Sequence, residues 1–272
     1  MNVVEHLMER GDKLLDKTFL LNASKIGYLL REPTWTPFET WVSMQGKVCV
    51  VTGANSGLGR VVTTRLAGLG ARVYLLCRDE ERGKQARFDI INSTQNLDVF
   101  LEIVDVSDSE SIRDFVDRFT AKETRIDVLI NNAGVFNTSR ETTDSGLEVT
   151  FATNTLGPFL LTNLLMPALR RSEAARVINV SSAAMYFAKL NLDDPQFQRR
   201  PYIGPLAYAE SKRAEVELTH VWSERLQGST VAVHAMHPGW ADTPSAWGAV
   251  PSLAAPMRPL LRTPEQGADT LL

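Results

Sequence analysis

A tyrosine and a lysine lie four residues apart in the segment YAESK, at Tyr208 and Lys212. On a helix this spacing places two side chains on one face, so the ammonium lies near the phenol. The pKa of a tyrosine phenol is about 10 in model peptides, and a neighbouring cation lowers it. A tyrosine on a helix usually serves packing, but with the lysine at this spacing the pair predicts a phenol that can act as a general acid or base.

A second feature, the turn TGANSGLGR, carries three glycines, Gly53, Gly57 and Gly59, between a predicted strand and a predicted helix. Glycines let the backbone approach a pyrophosphate, and the helix start offers unpaired N–H groups. The spacing is GxxxGxG, which differs from both GxGxxG and a P-loop. An ordinary tight turn is the alternative, and the position after the first strand favours dinucleotide binding. The predicted cofactor contacts here are Gly53, Asn55, Ser56, Gly57, Leu58 and Gly59.

The second predicted strand ends in Cys77 and Arg78, where an NAD site typically has an acidic residue for the ribose 2′-hydroxyl. A guanidinium at this position suits a 2′-phosphate. We therefore predict NADP(H) in preference to NAD(H). The alternative is that Arg78 is an ordinary solvated arginine that pairs with Asp79.

Composition bounds the class of protein. The 272 residues are 44% hydrophobic and carry a net charge of −3, from 29 Lys+Arg against 32 Asp+Glu. The slight acidity argues against nucleic acid as a partner. Cys49 and Cys77 lie in apolar runs and are predicted to be free and buried, as expected inside a cell. The N-terminus lacks the pattern of a signal peptide, so we predict a cytoplasmic protein.

Strands and helices alternate strictly from Lys47 onward, which predicts a doubly wound parallel α/β sheet of the Rossmann type. We assign residues 46–272 to this single domain and residues 1–45 to an N-terminal helical extension and connector. We favour a helix that packs on the domain or forms a homo-oligomer contact. A helix lying at a membrane surface is the alternative, disfavoured because its polar face carries as many acidic as basic residues.

With TGANSGLG, NNAG and YAESK in this order, the chain resembles the classical short-chain dehydrogenase/reductase family from about Lys47 to its end. Within that family, the segments LLCRDE, HPGWADTP and EQGADT and the long N-terminal lead-in narrow the resemblance to one member. The retinol dehydrogenases are more distantly similar.

The resemblance implies a catalytic set of Asn154, Ser182, Tyr208 and Lys212. Ser182 is preferred over Ser181 by alignment with family members, and it would polarise the substrate oxygen. Asn154 would hold a water that links Lys212 to solvent.

The resemblance also implies further cofactor contacts. They belong to the loop after the fourth strand, to an adenine-binding pair and to a nicotinamide-binding segment: Asn132, Ala133 and Gly134; Asp105 and Val106; Pro238, Gly239 and Thr243. The family's lysine contacts the nicotinamide ribose, so Tyr208 and Lys212 belong to the cofactor site as well. We expect no metal, because His234 and His237 have no ligand partners nearby.

The C-terminal segment begins a helix, with Thr263 as N-cap and Pro264 at the first position. The family's seventh strand would follow, so we expect a C-terminally incomplete sheet. The apolar segment WADTPSAWGAVPSLAAPM predicts a lipophilic small-molecule substrate. Two functions follow: an NADP(H)-dependent oxidoreductase, which we favour, and a catalytically weak dinucleotide-binding protein that acts through partners.

Overall fold

A single parallel sheet organises the chain in the computed structural model, which describes residues 22–35, 43–243 and 258–272. Its six strands in this part of the chain have the order β3-β2-β1-β4-β5-β6. They are β1 Val48–Thr52, β2 Arg72–Cys77, β3 Val99–Ile103, β4 Val128–Asn131, β5 Ala175–Val180 and β6 Val231–Met236. The strand order reverses between β1 and β4, so the predicted doubly wound α/β architecture is confirmed.

Helices cover the sheet. They are α1 Lys25–Arg31, α2 Gly57–Gly68, α3 Glu80–Thr94, α4 Ser109–Thr120, α5 Val149–Phe151, α6 Gly157–Leu169, α7 Gly204–Arg225 and α8 Pro264–Ala268. A π-helical turn, Ala152–Leu156, joins α5 to α6, and short 3-10 turns span Glu32–Thr34, Ala183–Phe187, Arg258–Leu260 and Asp269–Leu271. In the described ranges, no helix combines the length and apolar character needed to span a membrane.

The central strands are apolar throughout because both faces of the sheet are covered. In β1, Val48 and Val50 join the core on one face, while Cys49 and Val51 join the core on the other. Cys49 and Cys77 are free and buried, as the sequence predicts. Alternate side chains of a strand therefore pack against the helices on opposite faces of the sheet, and the loops begin at the strand ends.

Side-chain caps set where several helices begin. Asp79 accepts a hydrogen bond from Arg82 N at the start of α3, and Asp108 accepts one from Glu110 N at the start of α4. Thr263 and Gln266 form a reciprocal capping box at the start of α8. The N-cap predicted from the C-terminal sequence is thus confirmed.

One predicted helix differs in detail. The sequence pattern indicates a continuous helix over 146–171, whereas the structure begins the helix at Val149 and inserts the π-helical turn. Pro158 has no N–H to offer Asn154, and Gly157 N instead donates to the Ala152 carbonyl, five residues back. The turn therefore arises where proline interrupts the regular hydrogen-bond ladder.

Of the predicted N-terminal extension, residues 1–21 and 36–42 lie outside the described residues, and so does 244–257 of the apolar segment. Within the described part, α1 begins at its N-cap Ser24, whose hydroxyl accepts from Gly27 N. Trp240 N donates to the Ala23 carbonyl at 2.7 Å, so this segment contacts the loop that follows β6.

A buried carboxylate ties the starts of two central strands. Asp127 accepts from Val48 N at 2.9 Å and from Ser172 Oγ at 2.7 Å, and it pairs with Lys47 and Arg125. Burial alone would raise the pKa of this carboxyl. The hydrogen bonds from Val48 and Ser172, followed by the two cations, bring the pKa below its ordinary value. The charged form is therefore the one that stabilises the fold.

We predict that Asp127→Asn lowers the free energy of unfolding by about 1–3 kcal/mol at neutral pH, since charge-assisted hydrogen bonds are lost. Urea denaturation at a series of pH values measures this. Because the folded-state pKa is lowered, the difference from wild type is full above about pH 4 and shrinks as the pH falls through that lowered value. Asp114→Asn, exposed on α4, should stay within about 0.5 kcal/mol. A difference that persists unchanged in acid would contradict this role for the Asp127 charge.

Candidate functional site

The glycine-rich turn lies where β1 meets α2 and forms a cradle for an anion. Gly53 and Gly57 have positive φ angles of +64° and +51°, in the left-handed region that favours glycine. Ser56 is the N-cap of α2, yet its side chain makes no capping hydrogen bond with the described residues. The first turn also carries no acidic residue. The helix N-terminus therefore keeps its partial positive charge available, unlike α3 and α4.

Close packing fixes the shape of this cradle. A Cβ at Gly59 would lie 2.4 Å from the Gly53 carbonyl oxygen and 2.5 Å from Asn132 Nδ2. A Cβ at Gly53 would lie 3.0 Å from the Ala133 Cα. The glycines at 53 and 59 thus allow close contact between the helix start, β1 and the loop after β4, and the residues present fit a dinucleotide phosphate site.

The loop after β4 is fastened to the end of β1. The Thr52 hydroxyl oxygen accepts from Asn132 N and Ala133 N, both at 2.9 Å. Asn132 Nδ2 donates to the Thr52 carbonyl at 2.9 Å. The structure therefore brings Asn132, Ala133 and Gly134 beside the glycine cradle, in the supporting position that the family resemblance implies.

Asn154, in the π-helical turn, connects this loop to α7. Its Oδ1 accepts from Val135 N at 2.8 Å, and its Nδ2 donates to the Val135 carbonyl at 2.9 Å and to Ser211 Oγ at 3.0 Å. Ser211 Oγ donates in turn to the Tyr208 carbonyl at 2.8 Å. Asn154 thus positions both the loop and the helix, and its role in holding a water stays a prediction.

The two serines after β5 differ in what their hydroxyls do. Ser181 is buried and donates to the Lys212 carbonyl at 2.7 Å. Ser182 instead accepts from Ala184 N at 3.2 Å and caps the 3-10 turn that follows. A hydroxyl has one hydrogen to donate. Ser181 has committed its hydrogen, whereas Ser182 can direct its own to a substrate oxygen.

Tyr208 and Lys212 lie together on α7, as their spacing predicts. The Lys212 ammonium lies 5.8 Å from the centre of the Tyr208 ring, and the centre of the Phe136 ring lies 5.4 Å from it. Lys212 is 4% exposed and donates to the Val180 carbonyl at 2.9 Å. A Cβ added to Gly134 would lie 3.4 Å from Lys212 Nζ, so the loop after β4 borders this pair.

Sequence reasoning missed Glu215, which forms a buried ion pair with Lys212 at 3.0 Å. Burial would lower the pKa of Lys212, but the electrostatic effects of Glu215 and Tyr208 and the hydrogen bond that Lys212 donates to Glu215 raise it. Lys212 is therefore protonated at neutral pH. The available signal was an acidic residue three positions after the lysine, on the same helical face.

At the end of β2, Arg78 is 70% exposed and lies 3.9 Å from Asp105. Asp79 accepts from Arg82 N as the N-cap of α3, and the ion pair that Arg78 makes within the described ranges is with Asp105. Asp105 accepts from Ser107 N and Ser107 Oγ, which holds the turn after β3. Val106 follows Asp105 in the chain, and a Cβ added to Gly157 would lie 2.3 Å from the Val106 carbonyl oxygen. The ribose end of the cradle thus presents an available guanidinium.

Arg262 was also missed, and it holds the loop after β6. Its guanidinium donates to the carbonyls of Pro238, Ser24 and Asn22. Gly239 has φ +77°, and a Cβ there would lie 2.4 Å from Arg262 Nε. Pro238 and Gly239 therefore lie over a buried cation. Thr243, the third predicted contact of this segment, ends the described part of the loop.

His237 lies beside the serine loop, with Nδ1 accepting from Ala183 N at 3.3 Å. Its Nε2 is buried and has no hydrogen-bond partner in the described ranges. Burial, followed by the charge of Arg262, lowers the pKa of His237 to about 4, so the ring is neutral. No cluster of three or more His, Cys, Asp and Glu side chains suited to a metal lies within those ranges.

Comparison with known proteins identifies the family of the chain. The family model described as short chain dehydrogenase matches residues 47–252. Human dehydrogenase/reductase SDR family member 12 is 43% identical over 251 residues, which cover 92% of this chain and 78% of the relative. Mouse retinol dehydrogenase 12 is 44% identical over 200 residues, which cover 74% of this chain and 63% of the relative. The relationships predicted from the motifs are confirmed.

Solved structures agree. An uncharacterised protein from Mycobacterium paratuberculosis is 36% identical with a TM-score of 0.68, covering 81% of this chain and 80% of that one. A short chain dehydrogenase from Escherichia coli CFT073, complexed with NADPH, is 27% identical with a TM-score of 0.66, covering 81% and 87%.

We predict that Gly59→Ala distorts the cradle, because its methyl group would overlap the Gly53 carbonyl. The expected loss of unfolding free energy is about 1–3 kcal/mol, with loss of dinucleotide binding measured by fluorescence titration. Gly68→Ala is the matched control on α2, since its Cβ meets only Thr94 Cγ2 at 3.8 Å. The control should bind normally and melt at or above the wild-type temperature. Equal behaviour of the two variants would contradict the close-packing argument.

Proposed function

The chain belongs to the short-chain dehydrogenase family of oxidoreductases, and we propose that it uses NADP(H) to interconvert a carbonyl and an alcohol on a lipophilic small molecule. The observation that carries this proposal is the convergence of three parts at the carboxyl end of the sheet. These are the glycine cradle, the Tyr208–Lys212 pair and Ser182, whose hydroxyl hydrogen is available for a substrate. The experiment that tests it is NADPH oxidation with a panel of lipophilic carbonyls.

The preference for NADP(H) is supported by the charge at the end of β2. Arg78 is exposed, its contact with Asp105 is long at 3.9 Å, and Asp79 is engaged in capping α3. A 2′-phosphate would thus meet a cation and no competing carboxylate from Asp79. The E. coli relative complexed with NADPH and a metagenomic short-chain oxidoreductase in complex with NADP support the same choice.

In the proposed reaction, the bound nicotinamide supplies or accepts the hydride. Tyr208 gives a proton to the substrate oxygen in reduction and takes one in oxidation. The protonated Lys212 stabilises the phenolate form, and its burial strengthens that interaction. Ser182 donates to the same substrate oxygen and stabilises the charge that develops on it.

The lipophilic substrate class is supported by apolar side chains near Ser182. In the 3-10 turn that Ser182 caps, the side chains of Tyr186 and Phe187 are 70% and 76% exposed. Exposed apolar groups beside a predicted catalytic residue favour a hydrophobic ligand. Relatives named retinol dehydrogenase carry a lipophilic alcohol in their names, in agreement with this proposal.

We predict that Arg78→Ala weakens NADPH binding by about tenfold or more and leaves NADH binding nearly unchanged, because a charge-assisted contact to the 2′-phosphate is lost. Fluorescence titration with both cofactors measures the ratio. Arg113→Ala removes an exposed arginine on α4 as a charge-matched control and should preserve the preference. Equal affinity of the wild type for the two cofactors, or an unchanged preference in Arg78→Ala, would refute the assignment.

We predict that Tyr208→Phe abolishes carbonyl reduction and leaves NADPH binding nearly intact, since the ring still packs on Phe136 and only the proton donor is removed. Steady-state rates and cofactor titration measure the two effects. Tyr74→Phe is the matched control. Tyr74 lies on β2 and its hydroxyl donates to Glu123, so turnover should persist with a small loss of stability.

Appreciable turnover by Tyr208→Phe would show that another group transfers the proton. Cofactor binding without turnover of any carbonyl by the wild type would favour the dinucleotide-binding alternative, in which the chain acts through partners. The homo-oligomer and the membrane-surface contact stay predictions from the sequence.

A further inference from the structure

The structure places an acidic side chain against the lysine of the proposed proton-transfer pair. Glu215 is 1% exposed, and its Oε1 and Oε2 accept from Lys212 Nζ at 3.1 and 3.0 Å. The third contact of the ammonium is the Val180 carbonyl at 2.9 Å. Glu215 and β5 thus surround a cation that the proposed mechanism needs beside Tyr208.

The electrostatic consequence follows from distance. The ammonium lies 5.8 Å from the centre of the Tyr208 ring. An ionised carboxylate in contact with that ammonium cancels much of its field at the phenol, because the pair then carries no net charge. A protonated carboxyl leaves the ammonium uncompensated, which favours the phenolate.

We propose that Glu215 is a positioning residue for the proposed reaction: it holds Lys212 against β5 and, through its own proton, sets the net positive charge that acts on Tyr208. The role rests on the function proposed above. It also places a carboxylate in competition with any further acceptor for the hydrogens of the ammonium.

Burial supports a proton exchange in the working range of pH. It raises the pKa of Glu215 to about 7, against the opposing charge of Lys212. Below this value the carboxyl is neutral and the pair has a net positive charge, which favours the phenolate form of Tyr208. Above it the pair is neutral and that effect on Tyr208 is lost.

Within residues 22–35, 43–243 and 258–272, no other titratable group acts on this pair. The charge of Lys212 affects the pKa of Glu215, and Glu215 and Tyr208 affect the pKa of Lys212. α5 and the π-helical turn, which pack on α7, contain no titratable side chains. β5, β6 and the 3-10 turn after Ser182 each contain one, and all are exposed: Arg176, His234 and Tyr186.

The test compares variants that remove the charge of Glu215 at fixed side-chain length. In Glu215→Gln the Val180 carbonyl still accepts from Lys212 and Tyr208 still raises the pKa of that lysine, so the ammonium is kept. We expect this variant to lower the pKa of Tyr208 by about one unit or more above neutral pH, a tenfold change in proton affinity. Ultraviolet titration of tyrosinate, as the difference from Tyr208→Phe, measures this without cofactor or substrate. The Tyr208-dependent limb of the kcat/KM profile for carbonyl reduction should move to lower pH by the same amount.

A second pair of variants guards against a simple loss of folding. Glu215→Asp keeps the charge and Glu215→Asn removes it, in side chains one methylene shorter. Asn should reproduce the shift, and Asp should retain the wild-type titration. Glu217→Gln, half-exposed on the same helix, should shift nothing.

A Tyr208 titration that is unchanged or moved to higher pH in both Gln and Asn variants overturns the proposal, even if turnover falls. A lowered Tyr208 pKa without turnover in any variant supports the charge effect and refutes the proposed function instead. The two failures are therefore distinct.

Discussion

One hydroxyl, that of Thr52, fixes the site's geometry by joining the carboxyl ends of β1 and β4. Its oxygen accepts from the N–H groups of Asn132 and Ala133, which holds the two loops together at the point where the strand order reverses. From this tie, hydrogen bonds continue through Val135 and Asn154 to α7. The glycine cradle and the helix that bears Tyr208 are consequently parts of one connected hydrogen-bond network.

Buried cations organise the opposite side of the site. Lys212 binds the Val180 carbonyl and Arg262 binds the carbonyls of Pro238, Ser24 and Asn22. Burying a charge is unfavourable unless it is paired, and backbone carbonyls of loops have few alternative donors away from water. Each cation thus has hydrogen-bond acceptors for its own N–H groups and also satisfies backbone carbonyls at a strand end or in a loop. The loops beside the predicted nicotinamide position owe their shape to charge as much as to packing.

The sequence was sufficient for the fold because its signals are local. Continuous apolar runs, capping residues such as Thr263 and the strand–turn–helix context of Gly53 depend only on neighbours in the chain. Glu215 and Arg262 could not be assigned in this way, since their roles depend on what lies across the fold from them. The π-helical turn was missed because its cause, a proline that lacks a donor, also occurs at ordinary helix starts. Ser182 was preferred over Ser181 by alignment, and only the structure shows that the two hydroxyls differ in their hydrogen bonds.

The contacts of Arg262 with Asn22 and Ser24 span 240 and 238 positions of the chain. During synthesis at about 5–20 residues per second, the segment around Asn22 emerges tens of seconds before its partner exists. All six strands can pair in that interval, because the last of them ends at Met236. The long-range closure is therefore a late event, since contacts of high sequence separation follow the local ones. A nascent chain would first assemble its sheet and cradle, and would order the Pro238 loop only when Arg262 leaves the ribosome.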